Sequence, residues 1–466
     1  MKTLGNVTPT PEQATVIDDD APGFWLIRGA AGSGKTTTAL LRLKFLVRYW
    51  RERKVEMGLP GPVRVLVLTF NRTLRGYIQE LTQQQIQSGP DVALEVSTFA
   101  AWAQGLLARV VLERAPAEAK IRQLAGGDFP WRPRFLLDEV DYVLGRYLPE
   151  NRDEYLTAER TGRGRAPRVD RPLRERLLRQ VIEPYAAWKE DRGVVDWSDL
   201  AVELATTQAT TPYDIVVVDE TQDFSANQIR AITNHLAENF VCTFIRDTVQ
   251  RIYANCFTWP DVGVDIAPSR SRKLGKNYRN TKQIAAFALP LVEGLEAVED
   301  DALPNFQGCE REGPLPTVLR GKYSAQAAWA LSYLRERVAA DETVAFLHPL
   351  GGGWFKELRR QLDEAEIPWV SLTREAEWPD GKEQVALSTM HSAKGLEFDH
   401  VILLGYDADT VEAEDDADDI SVDHQRRLLA MAVGRAREGV VLGYRREAEP
   451  PVAGFFASGT YDLVDL

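Results

Sequence analysis

Cysteine is scarce in this chain: Cys242, Cys256 and Cys309 are the only three in 466 residues. They lie far apart and lack metal-ligand spacing. That excludes a disulfide framework or a cysteine-ligated metal site, and it suits a reducing compartment. Long apolar runs are missing too, and none approaches the ~20 residues of a membrane-spanning helix. The segment MKTLGNVTPTPEQ is polar and has no secretory apolar core, so a cytoplasmic location is expected. Positive charge is in deficit, with 56 Lys and Arg against 69 Asp and Glu and a net charge of −13. Bulk charge therefore offers nucleic acid no attraction, and any such site must be a local basic stripe.

Apolar residues make up 44% of the chain, enough for full cores. The length suits about three domains. No internal repeat is evident.

Gly29-Ala30-Ala31-Gly32-Ser33-Gly34-Lys35-Thr36 fits the pattern G-x-x-x-x-G-K-S/T. The apolar run Phe24-Trp25-Leu26-Ile27 precedes it and reads as a buried strand. A helical pattern follows from Thr37 to Trp50, with Leu40, Leu43 and Val47 on one face. In that context the glycines let backbone N–H groups close around phosphate oxygens at a helix N-terminus. Lys35 would neutralise the outer phosphates, and Thr36 would ligate Mg²⁺.

A second nucleotide signal is YDIVVVDETQDF, residues 213 to 224. Ile215 to Val218 are four consecutive β-branched residues, as expected of a strand covered on both faces. Asp219 and Glu220 follow at its carboxyl end, the edge where open α/β sheets bind ligands. Asp219 would hold Mg²⁺ through water, and Glu220 would polarise the attacking water.

DETQD resembles the DExQD box of superfamily 1 helicases, in particular the UvrD/Rep (PcrA-like) family. Further motifs resemble that family in the right order: TPEQ (10–13), LTFNRTL (68–74), STFAAWA (97–103), RDTVQRIY (246–253), LGKNYRNT (274–281), STMHSAKGLEFDHVILLG (388–405) and RRLLAMAVGRAR (426–437). The resemblance implies an α/β fold of two RecA-like P-loop NTPase lobes, parallel sheets flanked by helices, with a mainly helical 1B insertion. Expected boundaries are 1–103 and 206–271 for lobe 1A, 104–205 for 1B and 272–466 for lobe 2A.

The resemblance also implies roles. ATP would lie between the lobes against Gln13, Gly32, Ser33, Gly34, Lys35, Thr36 and Thr37, with Tyr278 on the adenine and Glu397 at the ribose. Lys35, Glu220, Gln250, Arg279 and Arg435 would carry catalysis, the two arginines as fingers. Thr36 and Asp219 would hold Mg²⁺. Candidate DNA contacts are Thr69, Phe70, Asn71, Thr98, Trp102, Tyr253, Thr389 and His391. Aromatic platforms and hydroxyls suit sequence-tolerant single-strand binding.

The chain departs from the family pattern in several places. Arg246 replaces a glycine, and Asn255 and Cys256 stand where a Trp-Arg pair is usual. Ala430 and Gly434 replace Tyr and Thr, and Thr37 replaces an arginine. The stretch from Arg279 to Thr389 leaves room for one lobe and little more, so the 2B insertion is expected to be reduced or absent. No room is expected after Arg437 for a fused nuclease. Eight arginines from Arg160 to Arg179 form the strongest basic stripe.

The function expected is ATP-dependent 3′ to 5′ translocation or unwinding on single-stranded DNA and single-strand/duplex junctions. The alternative is a DNA-stimulated ATPase acting as a sensing or regulatory subunit beside a separate nuclease or repair factor. Helicase-like components of bacterial anti-phage operons have such a layout.

Overall fold

The computed structural model describes residues 9–29, 32–69, 75–76, 78–80, 82, 89–127, 129–158, 169–208, 210–247, 257–275, 277, 279–295, 309–372, 379, 383–393, 395–412 and 419–466. Two wholly parallel sheets organise it. The first comprises β1 (Gly23–Gly29), β2 (Val63–Thr69), β3 (Val92–Thr98), β4 (Tyr213–Val218), β5 (Leu236–Asp247) and β6 (Ser271–Leu274). Their order is β3-β2-β4-β5-β1-β6. The second comprises β7 (Thr317–Arg320), β8 (Val344–His348), β9 (Trp369–Ser371), β10 (Val385–Thr389), β11 (Phe398–Leu403), β12 (Ala436–Tyr444) and β13 (Asp462–Asp465). They are ordered β13-β7-β12-β11-β8-β10-β9.

Parallel strands need crossovers, and the crossovers cover both faces with helices. Strand β4 shows the result, since all six of its residues are buried. Ile215 and Val217 face one apolar cluster with Trp25, Leu43 and Val65. Val216 and Val218 face the other with Phe99, Trp102 and Phe244. That alternation is the two-residue period of a strand whose two sides are both dry. The helix Lys35–Glu56 buries Leu40, Leu43 and Val47 against the first of these clusters.

The helical insertion has its own core, built from Trp131, Leu136, Val140, Tyr155, Leu177 and Val181 among others. Its last long helix runs from Arg171 to Glu190 through a π-helical turn at Leu177–Ile182. Pro184 follows that turn. A proline ring clashes with the carbonyl four residues back, and a widened turn relieves the clash.

The boundaries differ from those expected. The chain leaves and re-enters the first lobe where Val111 bridges Val195. Phe99–Leu107 and Trp197–Thr206 are helices, and Trp102, Leu200, Ala201 and Leu204 on them are buried in the first lobe's core. The insertion is therefore shorter than 104–205, because these helices are needed to cover the sheet. Residues 272–274 likewise belong to β6 of the first sheet. Among the described residues between Arg279 and Thr389, every strand, β7 to β10, belongs to the second sheet. No helix among the described residues is long and apolar enough to cross a membrane.

An ionic cluster fastens the insertion to the first lobe. Lys189, on the insertion's last helix, reaches Asp196 at 2.7 Å and Asp199 at 2.5 Å. Asp196 also caps the helix Trp197–Thr206 by accepting from the Ser198 and Asp199 amides. Lys189→Met would leave two neighbouring carboxylates without their cation. The expected cost is about 2–4 kcal/mol, somewhat below that of a fully sealed pair because Asp199 is partly exposed. Thermal melting should show the loss, and adding Asp199→Asn should recover part of it.

Candidate nucleotide site and nucleic-acid track

The loop after β1 turns sharply into the helix Lys35–Glu56. Gly32 and Gly34 adopt φ +81° and +75°, the left-handed region that favours glycine. Ser33 is fully buried beside them. Gln13 lies against the loop, donating from Nε2 to the Ser33 carbonyl at 3.4 Å. Its Oε1 accepts from the Thr10 amide at 3.0 Å, within the capping box of the helix Pro11–Ile17. Lys35 and Thr36 open the long helix, so the loop faces that helix's positive dipole end.

Strand β4 delivers Asp219 to the same place. The Thr36 hydroxyl donates to Asp219 Oδ2 at 3.0 Å, although the two are far apart in sequence. Burial pushes the Asp219 carboxyl up, and the adjacent Glu220 charge pushes it further. A hydroxyl and a buried carboxylate in contact make an all-oxygen donor pair, which fits Mg²⁺ completed by water and phosphate.

Glu220 adopts φ +52°, ψ +43°, a left-handed conformation that is costly for a residue with a side chain. Its surroundings hold it there. The Glu220 amide donates to Asp219 Oδ1 at 2.9 Å, and its carbonyl accepts from the Asp223 amide at 2.9 Å. The Gln222 side chain donates from Nε2 to Glu220 Oε2 and so fixes the direction of the carboxylate.

The second lobe meets this site directly. A Cβ on Gly32 would lie 2.8 Å from Arg279 Cβ, so loop and arginine segment abut. Asn277 Nδ2 donates to Asn280 Oδ1 at 2.7 Å, and Asn280 Nδ2 donates to the Ala436 carbonyl at 2.6 Å. This stitches the NYRN segment to the turn that carries Arg435. Arg279 donates from Nη1 to the Gly434 carbonyl at 3.2 Å and pairs with Glu397 through Nη2. Burial pushes Glu397 up, but Arg279, aided by Arg437 and Arg435, more than offsets it and holds the carboxyl below its usual range. Thus Glu397 engages Arg279 here. Arg435 is 3% exposed.

Thr69, Thr98 and Thr389 stand at the carboxyl ends of β2, β3 and β10. Thr69 is fully buried. Thr98 caps the helix Phe99–Leu107, its hydroxyl accepting from the Ala101 amide at 3.2 Å. Thr389 donates to the Ser392 hydroxyl at 2.9 Å. His391 is half-buried with its ring 6.5 Å from that of His424. Trp102 requires a correction. It is 1% exposed, donates to the Tyr213 hydroxyl at 3.1 Å and packs on His235, so it cannot stack on a base. Phe70, Asn71, Gln250, Tyr253 and Tyr278 lie outside the described residues.

The arginine stripe is also partly internal. Arg174 donates to the Tyr155 and Ala158 carbonyls, both at 2.7 Å. Arg179 pairs with Asp153 and Glu183. Residues 159–168 lie outside the described residues. Three contributors to the site escaped the sequence reading: Gln222, Asn277 and Asn280. The spacing N-x-x-N around Tyr278 and Arg279 was the available signal for the latter two.

Two RecA-like lobes meeting at a phosphate loop, with an Asp-Glu pair on one side and arginines on the other, define a two-lobed P-loop NTPase. Known proteins narrow the class. Residues 13–255, more than half of the chain, match the model of the AAA domain family, and residues 362–447 match the UvrD-like helicase C-terminal domain. The ATP-dependent DNA helicase UvrD2 of Mycobacterium tuberculosis is 22% identical, covering 91% of this chain and 77% of its own. The Mycobacterium bovis protein of the same name matches equally. Among solved structures, the C-terminal domain of a possible DNA helicase from Lactobacillus plantarum aligns with 20% identity and a TM-score of 0.30, covering 40% of this chain and 98% of that one. The chain belongs to the UvrD/Rep family of superfamily 1 helicases.

The placement of Trp102 yields a test. Trp102→Ala should destabilise the fold by about 3–5 kcal/mol through the cavity it leaves. Affinity of the folded protein for single-stranded DNA, measured well below the melting temperature, should stay at the wild-type level.

Proposed function

We propose that the protein hydrolyses ATP with Mg²⁺ between its two lobes and uses the cycle to move 3′ to 5′ on single-stranded DNA. The observation that best supports this is the abutment of the phosphate loop, with Thr36, Asp219 and Glu220 beside it, on the second-lobe segment that carries Arg279. The same segment is tied to the turn that carries Arg435.

In this reading Lys35 and the loop amides hold the outer phosphates. Thr36, and Asp219 through water, would hold Mg²⁺, which would supply positive charge to the phosphate oxygens. Glu220 accepts a proton from the attacking water, its carboxylate aimed by Gln222. Arg279 and Arg435 neutralise charge that develops on the transferring phosphoryl. Both belong to the second lobe, so hydrolysis requires the lobes to be closed, and closure couples chemistry to movement. Gln250 links the phosphate side to the DNA side, Tyr278 covers the adenine and Gln13 reads its edge. Glu397 alternates between Arg279 and the ribose. On the DNA side, Thr98, Thr389 and His391 face backbone, while Phe70, Asn71 and Tyr253 complete the track; Thr69, fully buried at the end of β2, supports that edge from within.

A second reading is a DNA-stimulated ATPase that senses DNA for a nuclease or repair partner without separating strands. It is favoured by the stretch from Arg279 to Thr389, whose described residues add no domain to the second lobe. Duplexes with a 3′ tail, a 5′ tail or blunt ends separate the readings. Unwinding of the 3′-tailed duplex alone is the expected result. ATPase stimulated by DNA without unwinding of any substrate would favour the second.

Glu220→Gln should lower kcat by about 10²–10⁴-fold and leave nucleotide affinity intact. Turnover at the wild-type rate would remove Glu220 from its role. Arg279→Ala and Arg435→Ala should each lower kcat by about 10³-fold or more, with a much smaller effect on ATP binding. Single-turnover hydrolysis and equilibrium binding of a labelled nucleotide check these expectations.

A further inference from the structure

Trp354 is an aromatic that no motif absorbs. It lies in the turn Gly352–Phe355 after β8, at the carboxyl edge of the second sheet. The residue is 38% exposed, and with Trp197 it is one of two tryptophans among the exposed large apolar residues described. It is also rigidly mounted. The ring of His348 stacks on it at 4.7 Å and 23°. His348 is 2% exposed, and its Nδ1 accepts from the Leu350 and Gly351 amides, both at 3.1 Å. Its proton therefore sits on Nε2, and burial pushes the ring down to about 4, so the support beneath the indole is neutral near pH 7. From the side, the Tyr323 hydroxyl donates to the Trp354 carbonyl at 2.9 Å.

The mount stands next to the proposed DNA track. His348 and Thr389 are register partners on adjacent strands β8 and β10. Gly351 approaches so closely that a Cβ there would lie 2.7 Å from Thr389 Cγ2. Gly351 and Gly352 adopt φ +61° and +58°, which turns the chain back over the sheet edge and leaves the indole at the surface. Thr389 and Ser392, whose hydroxyls are hydrogen-bonded to each other at 2.9 Å, stand against Gly351 at the start of the same turn. A flat, neutral, immobilised ring next to hydroxyls is the combination that binds a base and its phosphate without reading sequence.

We propose that Trp354 is a base-stacking platform for single-stranded nucleic acid in the second lobe, with Thr389 and Ser392 taking the neighbouring phosphate. The site rests on the reading of the protein as a motor on single-stranded DNA. It supplies an aromatic surface in a chain that has Asn255 and Cys256 where its family usually carries Trp and Arg.

The test is a cycle of two strands and three proteins, read by fluorescence anisotropy of an end-labelled oligonucleotide. One strand carries all its bases, and the other carries a run of abasic sites. The wild-type protein should bind the complete strand more tightly than the abasic one. Trp354→Ala should weaken binding to the complete strand by about 5- to 150-fold and have little further effect on the abasic strand. Trp354→Phe, which keeps a ring, should recover most of the loss. Thermal melting of each variant reports folding, and the strand comparison on wild-type protein needs no variant at all. Equal affinity of the wild-type protein for both strands would overturn the platform. So would an equal loss on both strands in Trp354→Ala, or no loss on either. Failure of the wild-type protein to bind either strand is a different result, and it would remove the motor reading together with the platform.

Discussion

The nucleotide site depends on one close approach. Gly32 has no room for a side chain because Arg279 Cβ lies 2.8 Å from where its Cβ would be. A loop that must present amide hydrogens to phosphate cannot also carry bulk toward the second lobe. The left-handed backbone at Gly32 and Gly34 serves both demands, turning the amides inward and letting the NYRN segment close against the loop. Asn277 and Asn280 then hold that segment to Gly434 and Ala436, so the two arginine-bearing pieces of the second lobe are one unit.

Charge balance follows from the same packing. Arg279 is largely removed from water, and its charge must be met within the protein. Glu397 and the Gly434 carbonyl meet it. On the opposite side, burial and mutual repulsion raise Asp219, and the Thr36 hydroxyl bonds its carboxylate. Excess negative charge and excess positive charge thus face one another across the loop, each provisionally satisfied within its own lobe.

Much of this was legible in the sequence because the chemistry leaves few choices. The strand before Gly29, the helix after Lys35 and the buried run Ile215 to Val218 each follow from apolar patterning flanked by turn residues. The insertion was legible as helical, yet its edges were misplaced. Phe99–Leu107 and Trp197–Thr206 look amphipathic in isolation, and nothing local says that their apolar faces cover the first sheet. Trp102 is a related case. It is a candidate DNA contact because STFAAWA resembles a family motif, whereas its helix face points at Tyr213 and His235. Gln222 was missed because its contact with Glu220 requires the left-handed turn at Glu220, which residue identity does not announce.

The nucleotide site and the nucleic-acid track constrain sequence differently. Phosphate and metal need particular atoms at particular places, so a glycine, a lysine or a paired carboxylate can be replaced by little else. Base stacking needs only a flat ring held at the right edge of a sheet, and any strand end along that edge can supply it. An aromatic can therefore vanish from one loop and its work pass to another without disturbing ATP chemistry. That freedom explains why the motif positions near Tyr253 can diverge while the phosphate loop does not. It also explains why the Trp354 platform is visible in the arrangement of β8 beside β10 and not in any motif.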